Sequence, residues 1–137
     1  MKDTNLRAAI FALALAGLGI TSYLVAVRYS GGQILCSTGG CETVQHSRYA
    51  KVAGVPVAVL GLVGYLVLLA SSTLRGEPAA FVGAAVAATG LVFALYLVYV
   101  QVELIGATCE WCLASDGVLA ALVPLTLLRL RRPTAPP

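Results

Sequence analysis

Apolar residues fall along this chain in four long blocks, about 8–27, 52–74, 79–102 and 109–128, separated by short polar stretches. Each block is long enough to cross about 30 Å of hydrocarbon at ~1.5 Å per residue. A segment inside lipid has to satisfy its own backbone hydrogen bonds, so each block predicts a helix. Four such helices with short connections close most simply into an antiparallel bundle. The expected fold is therefore all-α: a polytopic membrane protein with one domain over 1–137, an external loop between helices 1 and 2, and a cytoplasmic tail from 129 to 137.

Composition strengthens this reading. Hydrophobic residues make up 59% of the chain and charged residues 11%, with a mean hydropathy of +0.90, well outside the range of ordinary globular domains. Nearly the whole chain is spent on the four spans, which leaves no soluble domain to place. Lys2 and Arg7 precede the first block as they would precede a secretory signal. Its apolar stretch, however, exceeds the usual core of roughly 7–15 residues and no small-x-small cleavage site follows, so it reads as the first span.

The charges set an orientation. Lys2, Arg7, Arg75, Arg129, Arg131 and Arg132 fall on one side of the expected bundle, and Arg28, Arg48 and Lys51 on the other. By the positive-inside rule the termini are cytoplasmic, and loop 28–51 and turn 103–108 both face the exterior or periplasm across a cell (plasma) membrane. The net charge of +3 belongs to these anchoring flanks and gives no reason to expect nucleic acid. Arg129 to Pro137 reads as a stop-transfer anchor with a frayed, proline-rich end.

Four cysteines lie toward the external side, as Cys36-Ser-Thr-Gly-Gly-Cys41 in the first loop and Cys109-Glu-Trp-Cys112 at the head of the fourth block. Oxidising compartments are where disulfides persist, so pair and placement agree. Cys109-x-x-Cys112 opens the fourth block, where free backbone N–H groups and the helix dipole favour a thiolate. Thr108 is the expected N-cap, and Glu110 suits the first turn. Gly39 and Gly40 make the Cys36–Cys41 ring pliable enough to open and close. Three readings stand side by side: a redox relay between the pairs, structural disulfides, and a four-cysteine zinc site. The small Cys36–Cys41 ring constrains an unfolded chain little, and structural zinc organises small polar modules rather than packed helices. Spacing, compartment and helix position together favour the relay.

Electrons entering through thiols need an acceptor. The single histidine, His46, cannot build a bis-His haem in the bundle, and Leu113 stands where a c-type haem would need its axial histidine. No glycine-rich dinucleotide fingerprint or P-loop is present. The expected acceptor is therefore not a haem, flavin or metal: a bare helical bundle offers an apolar pocket open to lipid, which suits a membrane quinone such as menaquinone or ubiquinone. Asp116 follows Cys112 by four residues, hence on the same helix face and about one turn deeper. An ionisable group there either hydrogen-bonds or protonates a quinone oxygen, or sits at the interface and pairs with water, Arg48 or Lys51. Trp111 reads as an interfacial anchor that can also wall a quinone pocket. His46 reads as a solvated loop residue, with proton transfer as the alternative. Gly54, Gly61, Gly64, Gly83 and Gly90 read as close helix contacts.

Taken in order, the loop C-x4-C, Ser47-Arg48-Tyr49, Gly61 and Tyr65 in the second helix, and C-x-x-C at the head of the fourth resemble the vitamin K epoxide reductase family, over about Leu6 to Leu130. Quinone-linked disulfide generators of the DsbB type carry their two pairs in the opposite order. The resemblance implies a membrane thiol-disulfide oxidoreductase that oxidises a thioredoxin-like or DsbA-like partner, reduces a quinone (vitamin K, menaquinone or ubiquinone) and supports disulfide formation. It implies a relay in which the partner attacks the loop disulfide at Cys36, Cys41 exchanges with Cys109, and Cys112 faces the quinone. Ser47 takes the place of the family's hydroxyl beside the active site. The chain departs from animal members at Val57, where they carry an Asn, and at Asp116, where they carry a Tyr, so polar recognition of the quinone has to be arranged differently. Many bacterial members carry a fused thioredoxin-like domain; with the chain ending at Pro137, the expected partner is a separate protein. The alternatives are a DsbB-like reductase reached by convergence, a non-catalytic scaffold with structural disulfides, and a membrane metal-binding module.

Overall fold

The computed structural model of the chain describes residues 3–30, 51–52, 54–74 and 76–131. Cys36, Cys41, His46, Ser47, Arg48 and Tyr49 lie outside the described residues. Among the described residues four α-helices carry the fold: α1 (Asp3–Ser30), α2 (Val57–Thr73), α3 (Glu77–Tyr99) and α4 (Glu110–Arg131). A π-helical turn, Val100–Ile105, extends α3. The helices form a closed ring of neighbours, α1 on α2, α2 on α3, α3 on α4 and α4 back on α1. α1, α3 with its π extension, and α4 are each long and apolar enough to cross a membrane.

Several element boundaries differ from expectation, two of them with consequences for the turns that flank the helices. The second helix starts at Val57 rather than Val52, because Lys51–Val52 pair antiparallel with Val55–Pro56 in a two-stranded turn. Gly54 makes that turn with φ +84 and has nothing near its missing Cβ, so it is a turn glycine and not a helix contact. The resulting helix has 17 residues, about 25 Å of rise, less than the hydrocarbon thickness. The third helix does not end at Val102 but continues through the π turn to Ile105, where Gly106 at φ +75 stops it.

The core holds Leu6, Ile10 and Ala14 of α1, Tyr65 and Leu68 of α2, Ala87 of α3 and Leu122 of α4. Much of the outer surface is apolar: Phe81, Val92, Leu95 and Tyr99 of α3 are exposed, as expected when the surrounding solvent is lipid. Close approach depends on small residues, as in membrane bundles generally. A Cβ at Gly83 would lie 2.9 Å from Ser71 Oγ, and one at Gly61 3.1 Å from Thr21 Cγ2.

Arg129 corrects the expected tail. It is not a solvent-exposed tail residue: α4 runs on through Arg131 and Arg129 is 3% exposed. Its guanidinium donates to Ser71 O at 2.8 Å and Leu74 O at 2.5 Å. Arg7 of α1 donates to Ser72 O and Thr73 O, both at 3.0 Å. The last carbonyls of a helix have no partner within it, and inside a membrane an unpaired carbonyl is costly. Two arginines, Arg7 from the adjoining α1 and Arg129 from α4 across the bundle, fill that need for α2.

The cysteine pair at the head of α4

The residues that shape this site are set by how the third helix ends. Gln101 lies in the π turn and is 2% exposed. Its backbone carbonyl accepts from Gly106 N at 2.9 Å and from Ala107 N at 3.2 Å, closing the chain into a tight reversal that only a residue tolerant of positive φ can make at Gly106. Its side-chain Oε1 accepts from Cys109 N at 2.8 Å. One glutamine thus ties the end of α3 to the start of α4.

Cys109, rather than Thr108, occupies the N-cap. Its carbonyl accepts the first intrahelical bond, from Leu113 N at 2.9 Å, which is the mark of that position. Its sulfur accepts from Cys112 N at 3.3 Å, the role a capping oxygen usually has. Cys109 Sγ therefore stands at the positive end of the α4 dipole, where negative charge is favoured. Cys109 is 0% exposed and packs among Ile105, Ala107, Trp111 and Cys112.

Below this cap lies a cavity of about 480 Å³, within the roughly 300–1,000 Å³ span of small-molecule sites. All four helices line it, mostly with aliphatic side chains such as Leu24, Leu68 and Leu97. Cys112, Ser115, Asp116, Tyr65 and Gln101 bring polar groups to the wall. Two of these are committed to each other: the Tyr65 hydroxyl donates to Ser115 O at 2.7 Å and lies 2.8 Å from Ser115 Oγ. Gly17 of α1 receives the Tyr65 ring so closely that a Cβ there would overlap ring carbons. Asp116 is uncommitted: its Oδ2 is buried with no hydrogen-bond partner among the described residues.

The expected site residues are thus distributed unevenly. Cys112 and Asp116 share the cavity wall, as their four-residue spacing implies. Trp111 is not among the lining residues; its ring stacks on Tyr23 of α1, centroids 4.8 Å apart and tilted by 44°. Ser47, Cys36 and Cys41 lie outside the described residues. Gln101, Ser115 and Gly17 were not singled out from sequence. Gln101 alone left a trace, as an uncharged polar residue near the end of an apolar block.

A four-helix membrane bundle with a Cys-x-x-Cys at the head of its last helix, above an apolar cavity, describes a narrow class of proteins. Residues 8–127 match the model of the vitamin K epoxide reductase family, and the chain belongs to that family. It is similar to the thiol-disulfide oxidoreductase LTO1 of Arabidopsis thaliana, 34% identical over 108 residues. That match covers 69% of this chain and 29% of the plant protein, so the chain spans less than a third of that relative's length.

Proposed function

We propose that the protein is a quinone-dependent thiol-disulfide oxidoreductase of the membrane. A partner dithiol of thioredoxin-like or DsbA-like type reduces the Cys36–Cys41 disulfide, and that dithiol in turn reduces a Cys109–Cys112 disulfide through a mixed disulfide. The Cys109–Cys112 dithiol then passes two electrons and two protons to a quinone, giving quinol and restoring the disulfide. The net effect is to keep the partner oxidised for disulfide formation. The observation that carries this reading is Cys112 in the wall of an apolar cavity, with the unpartnered Asp116 carboxyl one turn deeper on the same face. Asp116 serves there as hydrogen-bond donor or proton source to a quinone oxygen.

Family membership and the likeness to a plant thiol-disulfide oxidoreductase support the thiol half of the reaction. For orientation, the reading keeps the end bearing Arg7 and Arg129 in the cytoplasm and the Cys109 end outside, on the distribution of basic residues.

Purified protein in detergent, given dithiothreitol and menadione, is expected to consume the quinone. Cys112→Ala is expected to abolish turnover; in cells, where the partner is present, Cys41→Ala is expected to accumulate a mixed disulfide between Cys36 and the partner. No quinone consumption by the wild type, or turnover that survives Cys112→Ala, would remove the proposal.

A further inference from the structure

Gln101 makes three hydrogen bonds through its two oxygens and leaves one group unused. Oε1 faces Cys109 N at 2.8 Å, and a backbone N–H can only donate, so chemistry fixes which end of the amide points there. The Nε2 amino group is consequently turned the other way. It makes no hydrogen bond to any described residue, although the side chain is 2% exposed and forms part of the cavity wall. A nearly buried donor without an acceptor is expensive in an apolar setting. It calls for an acceptor from the ligand.

We infer that Gln101 is a ligand-contacting residue whose Nε2 donates a hydrogen bond to a carbonyl oxygen of the molecule in the cavity, while its Oε1 holds the backbone of Cys109. This inference rests on the quinone reading above and adds the residue that recognises the carbonyl. A para-quinone carries two carbonyls on opposite sides of one ring, and the uncommitted polar groups of the cavity wall include the Gln101 amide and the Asp116 carboxyl. The oxygen facing Gln101 gains negative charge as electrons arrive from the thiol pair, so an N–H aimed at it favours reduction as well as binding. Because the same side chain holds the backbone of Cys109, the head of the thiol pair and the carbonyl are positioned by one amide.

The test compares menadione with 2-methylnaphthalene, which has the same fused rings and no carbonyl, in detergent-solubilised protein. Quenching of Trp111, the single tryptophan, reports binding. Gln101→Met is expected to weaken menadione binding about tenfold, the worth of one hydrogen bond, and to leave 2-methylnaphthalene binding unchanged, which also shows that the cavity survives. An unchanged menadione to 2-methylnaphthalene ratio in Gln101→Met overturns the inference. A second measurement covers a variant that does not fold. In Asp116→Ala, infrared spectra of bound carbonyl-labelled menadione are expected to keep one C=O stretch lowered by hydrogen bonding. If both carbonyls there absorb as they do in an apolar solvent, Gln101 is not a donor. Failure of the quinone reading itself looks different: the wild type then oxidises no dithiol with menadione, whatever the variants bind.

Discussion

At the scale of single residues, the chain shows how far spacing alone reaches. Cys112 and Asp116 are four apart on one helix, so their common face follows from the 3.6-residue period, and the cavity wall has both. Gly17 and Tyr65 are related only through the contact of α1 with α2, and no local pattern in either helix marks the pairing. Their coupling yields two predictions of different size. Tyr65→Phe removes the bond to Ser115 and nothing else, so a loss of about 1 kcal/mol is expected, read from the unfolding midpoint in mixed micelles. Gly17→Ala forces the ring off its seat, and overpacking of this kind costs about 1–3 kcal/mol. Because Tyr65 lines the cavity, Gly17→Ala should also raise KM for menadione with the unfolding cost; an unchanged KM would separate the ring from the ligand site.

At the scale of elements, the main departure from expectation is the way the third helix hands over to the fourth. The apolar block up to Val102 followed by Glu103 suggests a helix end and a loop from 103 to 108. The chain instead adds a π turn, which widens the helix so that Gln101 O collects the N–H groups of both Gly106 and Ala107. π turns are rare and cluster at functional sites, and their hydrogen-bond shift leaves no periodic mark in an all-apolar stretch. Gly106 was visible as a residue but not its φ of +75. Gly106→Ala is expected to cost about 1 kcal/mol. It should also loosen the grip on Cys109, whose sulfur then loses its place at the helix N-terminus. With the reduced form less stabilised, equilibration with glutathione should show the Cys109–Cys112 pair at a more reducing potential than wild type. An unshifted potential would mean that the cap forms without the reversal.

For the whole molecule, the bundle is tied at two ends by different chemistry. At one end Trp111 stacks on Tyr23, joining α4 to α1 beside the cysteines. At the other, Arg7 and Arg129 close the carbonyl end of α2. Arg129→Met strands buried carbonyls and is expected to destabilise by about 2–4 kcal/mol, whereas Arg7→Met, whose bond to Thr73 O is exposed, should cost about 1 kcal/mol or less. Chemical denaturation in mixed micelles compares the two, and equal losses would show that burial does not set the difference. The sequence by itself determined the membrane environment, the number of helices and the cysteine pair at the head of the last one. These follow from hydrophobic block length and short-range spacing, which a linear chain records directly. Only the tertiary structure decided that Arg129 belongs to the interior, that Cys109 rather than Thr108 caps α4, and that Gln101 joins the cysteine to the cavity. Each of those depends on which backbone groups are left unpaired at helix ends, and that is settled only when neighbouring helices meet.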